Sequence, residues 1–152
     1  MRLDSLDLQL LRVVQVNNRL STEQVGNKIG LSATAVQRRI KKLRDSGVIK
    51  KEVAVLDAIE AGGFVTIIVD VTIKQGSTKS LVVFKKLMLD CPQVQQCYYV
   101  TGNNDFIIIV TVENMLEYEK LTHKLFFSNN NIQKFNSTVV MENVKVGLDI
   151  PI

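Results

Sequence analysis

Histidine occurs once in this 152-residue chain and cysteine twice. The single histidine, His123, has no cysteine or carboxylate cluster around it in the sequence, which argues against metal centres and proton relays built from several imidazoles. Cys91 and Cys97 fit neither a CxxC pair nor a zinc spacing, so they are expected to be free thiols in a reducing compartment. No Ser/His/Asp or Cys/His grouping and no phosphate-cradling GxxxxGK is present, so no catalytic residue and no metal ligand is assigned. No apolar run reaches the length of a membrane span. The opening MRLDSLDLQLL carries early aspartates and does not read as a secretory signal. A cytoplasmic protein with no membrane partner is expected.

What is present is a folded composition with an uneven charge distribution. Hydrophobic residues make up 46% and charged residues 22%, enough apolar matter to bury a core. Residues 1–63 hold eleven Lys/Arg and seven Asp/Glu, whereas residues 64–152 hold eight of each. The whole positive excess therefore lies in the first part. Within Ser32–Lys51 the cations Arg38, Arg39, Lys41, Lys42, Arg44, Lys50 and Lys51 face Asp45 alone. A basic cluster on an otherwise neutral chain is the footprint of a polyanionic partner.

The chain changes character at Gly62-Gly63, which sets the expected boundary between a domain at 1–63 and one at 64–152. Before it, periodicity predicts three helices. Leu6, Leu10, Val13 and Val14 form one apolar face over Ser5–Val16, ended by Asn17-Asn18. Ser21 with Gln24 is a capping-box pattern opening a second helix that Gly30 stops. Ser32 caps a third, whose inward face is Val36, Ile40 and Leu43 and which ends at Gly47. Val48–Leu56 then alternates weakly, as a wing strand or extended arm. After the boundary the predicted order is strand 64–74, helix 77–90, strand 94–101, strand 105–112, helix 115–127 and strand 134–141. This βαββαβ order is ferredoxin-like, so the fold class is α+β, a winged helix-turn-helix followed by a ferredoxin-like domain.

Two short helices joined at Gly30-Leu31, the second one basic, match a helix-turn-helix over about 22–43 that reads double-stranded DNA. Thr34, Ala35, Gln37 and Arg38, with Ala33, lie near the start of the second helix, where side chains reach base edges. Gln pairs with adenine and Arg with guanine. Arg39, Lys41, Lys42 and Arg44, with the Ser32 hydroxyl, are candidates for phosphate. A charged helix face by itself is commonly just solvated; here helical spacing, a glycine turn and dense positive charge coincide.

The run Leu31-Ser32-Ala33-Thr34-Ala35-Val36-Gln37-Arg38-Arg39-Ile40-Lys41-Lys42-Leu43, with Gly47-Val48-Ile49 after it, resembles the signature of the Lrp/AsnC transcription regulators. Leu3-Asp4 with Asp7 and Leu11 is similar to the family's first helix. The resemblance implies a prokaryotic, nucleoid-associated regulator responsive to an amino acid or related metabolite, with dimers joining into tetramers or octamers. It also implies an effector cleft where dimers meet. Thr101-Gly102-Asn103-Asn104-Asp105 resembles the family's Gly-Asp-x-Asp loop in that cleft, so Gly102, Asn103 and Asp105, then Thr101, Thr138, Val139 and Val140, are the effector candidates. Asn103 stands where the family often has aspartate. From the residues alone, the same segment also suits an ordinary hairpin turn.

Assembly is expected from pattern as well. The strand at 105–112 is apolar on both faces, and two helices, through stripes Leu81/Phe84/Met88 and Tyr118/Leu121/Leu125, cover only one face of a sheet. A second copy would cover the other in a homodimer. An architectural DNA binder without effector is the alternative. A tetrapyrrole decarboxylase is a distant one, because the neutral second half offers only His123 for proton transfer. No cofactor is expected.

Overall fold

A computed structural model describes residues 2–74 and 78–152, so the expected start of the helix at Ser77 lies outside the described residues. The chain divides into two compact units, residues 1–55 with 145–152, and residues 56–144.

The first unit holds α1 (Ser5–Val16), α2 (Thr22–Ile29) and α3 (Ala33–Asp45). Each begins on a polar cap that satisfies amides left over at a helix start. Asp4 and Asp7 form a reciprocal capping box on α1, as do Ser21 and Gln24 on α2. Ser32 accepts from the Ala35 amide at 3.2 Å on α3. Leu10, Leu11, Val25, Val36 and Leu43 are the buried core, with Ile29, Ile40, Leu31, Ile49 and Ile152 packed against it. The wing expected after α3 is not seen among the described residues. Residues 50–57 carry no paired strand, because the weak alternation there finds no neighbouring strand to bond. The expected division at 63/64 also differs from the one observed. The first unit stops at Val55, and residues 145–152 return to it.

The second unit holds β1 (Val65–Ile73), α4 (Thr78–Leu89), β2 (Val94–Tyr99), β3 (Phe106–Val112), α5 (Met115–Thr122) and β4 (Ile132–Val139). The expected βαββαβ order is met. The sheet runs β2-β3-β1-β4 with antiparallel neighbours throughout. Register explains the burial. Ile67, Val69 and Val71 sit opposite Val110, Ile108 and Phe106, and all six are buried on the helix-covered face with Phe84, Met88, Leu121 and Leu125. Thr66, Ile68 and Asp70 sit opposite Thr111, Ile109 and Ile107 on the other face, where they are only half-buried. α5 continues to Phe127 through a wider π-helical turn over His123–Phe127. The Tyr118 hydroxyl meets Ser137 Oγ at 2.5 Å, joining α5 to β4.

Candidate nucleic-acid interface and effector turn

The α2–α3 turn is built on two glycines. Gly30 takes φ 71°, the left-handed conformation that ends a helix at little cost only in glycine. Gly26, one turn earlier, lets the chain fold back: the Leu31 amide donates to Gly26 O at 3.0 Å, and a Cβ on Gly26 would overlap the Leu31 carbonyl oxygen. This closeness fixes α3 against α2. Burial of Val36 and Leu43 then turns Thr34, Gln37, Arg38, Lys41 and Lys42 outward, all of them exposed. Ser32 and Ala33 are exposed beside them, and Ala35 is half-buried.

These cations are not equivalent. Lys41 pairs with Asp45 at 2.9 Å and Arg44 with Glu52 at 2.8 Å, both on the surface. The Glu52 hydrogen bond holds the Arg44 guanidinium above its usual pKa. Arg38 and Lys42 make no ion pair among the described residues. The Ala33 and Thr34 amides at the start of α3 have no acceptor among the described hydrogen bonds, which leaves N–H groups open at the helix start.

Arg39 departs from its expected role as a phosphate contact. Its Nη1 donates to Asp7 Oδ1 at 2.6 Å and to Asp4 Oδ2 at 2.8 Å. The Asp7 side chain is only 4% exposed, so this is a tie between α1 and α3 through a buried carboxylate. Hydrogen bonds to Asp4 and then Asp7 raise the Arg39 pKa, and the bond from Arg39 is the main cause of a lowered Asp4 pKa. The reason is positional. Arg39 lies three residues after Val36 and beside Ile40, on the inward side of α3. That spacing, with two aspartates three residues apart on α1, was the available signal.

The turn at Thr101–Asp105 leaves Thr101, Gly102 and Asn103 exposed, with Gly102 at φ 124°. Asp105 serves the fold. Its amide donates to Val71 O at 2.9 Å, its carbonyl accepts from Val100 at 2.9 Å, and its Oδ2 accepts from the Ile73 amide at 2.7 Å. The other carboxylate oxygen makes no hydrogen bond among the described residues. Thr138 and Val139 pair with Ile68 and Ile67, and the Val140 amide bonds Thr66 O. They therefore sit toward the opposite end of β1 from the turn, roughly 10–20 Å away at the usual strand rise. One chain does not bring the seven effector candidates together.

Three features escaped the sequence reading: Gly26, the Arg39 tie, and the docking of the last residues on α1. The Gln15 side chain donates to Ile150 O at 3.0 Å and accepts from the Ile150 amide at 3.2 Å. Arg12 Nε donates to Ile152 O at 2.5 Å. No group of three or more His, Cys, Asp or Glu residues is placed to hold a metal among the described residues, and no described helix is long and apolar enough to cross a membrane.

Comparison with known proteins adds an independent finding. A family model described as the AsnC-type helix-turn-helix domain matches residues 3–44, and one described as the Lrp/AsnC ligand binding domain matches residues 66–149. An uncharacterised helix-turn-helix-type transcriptional regulator of Sinorhizobium fredii is 43% identical over 152 residues, covering 100% of this chain and 90% of that protein. The leucine-responsive regulatory protein of Haemophilus influenzae is 29% identical over 94% of this chain and 86% of its own length. The crystal structure of an AsnC family transcriptional regulator from Agrobacterium tumefaciens superposes with a TM-score of 0.89 at 29% identity, covering 98% of this chain and 97% of that one.

Proposed function

Since the chain belongs to the Lrp/AsnC family of DNA-binding transcription regulators, we propose that α3 enters the major groove of duplex DNA, with Arg38 and Gln37 reading bases and Lys42 holding phosphate. The observation that carries this is that Arg38 and Lys42 are exposed and make no ion pair among the described residues, on a helix whose Ala33 and Thr34 amides have no described acceptor. Free cations release counterions on binding, which gives affinity; a guanidinium fork on guanine gives sequence preference. Lys41 and Arg44 must first exchange Asp45 and Glu52 for phosphate, so their contribution is smaller. The test is selection of bound fragments from random duplex DNA, followed by anisotropy titrations at two salt concentrations. A single enriched motif and a steep salt dependence are expected; salt-insensitive binding without a motif would overturn the reading.

The second sheet face supports assembly. Ile68, Ile107 and Ile109 are only half-buried there, and a second copy is the self-complementary cover. Two recognition helices would then meet half-sites one or more DNA turns apart. A regulator of this kind works in the cytoplasm on the nucleoid, without catalysis or cofactor. Light scattering at low micromolar concentration checks the dimer mass.

An amino acid or a related metabolite is the effector this reading favours, taken up at the turn around Gly102, Asn103 and Asp105. The separation of that turn from Thr138–Val140 supports a site that another copy completes. The engagement of Asp105 by β1 supports a second reading, an architectural DNA binder with no effector. Thermal shift against the twenty amino acids separates the two, because a ligand that binds only the folded state raises the melting temperature.

A further inference from the structure

Residues 50–56 and 141–149 share an unusual state. Neither run belongs to a helix or strand, and none of their backbone N–H or C=O groups makes a hydrogen bond among the described residues. Both also expose apolar side chains, at every other position from Val144 in the second run and at Val53 and Val55, with Leu56 after them, in the first. In the first, Val53 and Val55 are exposed; in the second, Val144, Val146 and Leu148 are, with Ile150 continuing the row. Alternating apolar residues on a backbone with open donors and acceptors are the features of a strand whose neighbour has yet to be supplied.

We propose that the two runs pair as antiparallel strands between two copies of this chain, residues 50–56 of one with 144–150 of the other. The inference rests on the homodimer reading above and adds a second contact to the sheet face. Among the described residues the chain pairs neither run, which leaves both open to a strand of a second copy. The two runs are also complementary to each other. Setting Val53 opposite Val146 puts Val55 opposite Val144 on the same apolar face, and in that register Lys50 lies opposite Asp149. A shift by one residue sets Val53 and Val55 against Gly147 and Lys145 and breaks up the apolar face, and a shift by two sets Glu52 against Asp149, two like charges, so both are disfavoured. The far end of the second run is already held, since Gln15 clasps both backbone groups of Ile150 and Ile152 packs into the helical core. A run fixed at one end loses less freedom on pairing. The exchange would hold each helix-turn-helix unit to the other copy, which sets the spacing of the two recognition helices.

The test uses the full chain with Cys91→Ala and Cys97→Ser. One preparation carries Val53→Cys and another, with a different tag, Val146→Cys; the two are unfolded together, refolded and mildly oxidised. A disulfide between differently tagged chains is expected in the mixed dimers, about half of the sample when the two are refolded in equal amounts. A dimer by light scattering with no such link, or with links only between two Val53→Cys chains, overturns the pairing and leaves the sheet-face dimer standing. A monomeric mass overturns both. Charge reversal gives a second measurement. Lys50→Glu is expected to weaken the dimer about fivefold, and adding Asp149→Lys to restore it; no change with either overturns the register.

Discussion

Arg39 Nη1 lies 2.6 Å from Asp7 Oδ1, closing an ion pair between the third helix and the first on a carboxylate that is almost fully buried. Removing one partner of such a pair strands the other charge, a loss of about 3 kcal/mol. Arg39→Ala is therefore expected to lower the stability of the helical unit by that order in urea unfolding followed by circular dichroism. Arg39→Lys should recover only part of it, because one ammonium cannot repeat the guanidinium geometry. If Arg39 were a phosphate contact, Arg39→Ala would leave stability intact and change only DNA affinity.

Arg38 and Lys42 supply the contrasting case. Arg38→Ala is expected to cost about 1–3 kcal/mol on the preferred sequence and to relax base preference at one position, with little effect on random duplex. Lys42→Ala should weaken every sequence alike and reduce the salt slope by about one. Anisotropy titrations of both variants on matched and scrambled duplexes check the assignment; equal losses on all sequences for both would refute it.

Much of this arrangement was legible because it is local. The Ser21/Gln24 box, the Gly30 stop, the Ser32 cap and the rows Val36/Leu43 and Ile67/Val69/Val71 follow from spacing of a few residues, and the structure places all of them as expected. The rest depended on tertiary partners. A long side chain on the inward side of α3 reads as surface charge until Asp7 is brought to it. Asp105 reads as a free carboxylate until Ile73 supplies an amide from another strand. Apolar alternation at 144–152 was present in the sequence, yet nothing local says that Ile150 meets Gln15, 135 residues away.

Asp105 yields a prediction that divides its two tasks. Asp105→Asn keeps an oxygen to accept from the Ile73 amide, while Asp105→Ala removes it. The alanine variant is expected to lose about 1–2 kcal/mol of stability and the asparagine variant less than half of that. In a thermal-shift screen with amino acids, both should lose any ligand-dependent rise, because the negative charge that holds an ammonium is gone. A rise that persists in Asp105→Asn would place the ligand elsewhere.

Gly26 and Gly30 differ in what limits them. At Gly30 a side chain meets no atom within 4 Å, so Gly30→Ala bears only the cost of a left-handed backbone, about 1–2 kcal/mol. At Gly26 the backbone is helical, but the added methyl runs into the Leu31 carbonyl oxygen and must push α3 away. Gly26→Ala is expected to lose about 2–3 kcal/mol and also to weaken DNA binding. Comparing Kd under conditions where both variants are folded separates displacement from simple instability.

Acid should loosen the α1–α3 tie at a pH that identifies Asp4. Hydrogen bonding to Arg39 lowers the Asp4 pKa from its unfolded value, so the folded state binds its proton less readily than the unfolded chain. The stability this contributes is complete above the unfolded carboxylate value, about 3.9, and is lost as pH falls through the lower folded value. Arg39 stays charged throughout, its own pKa being raised. Asp4→Asn keeps a good helix cap but removes the titrating group. Its urea midpoint should therefore vary less between pH 5 and pH 2 than that of the parent chain, within about the range where carboxylates titrate. Parallel curves for the two proteins would mean that Asp4 carries none of the acid sensitivity and that Asp7 alone holds the arginine.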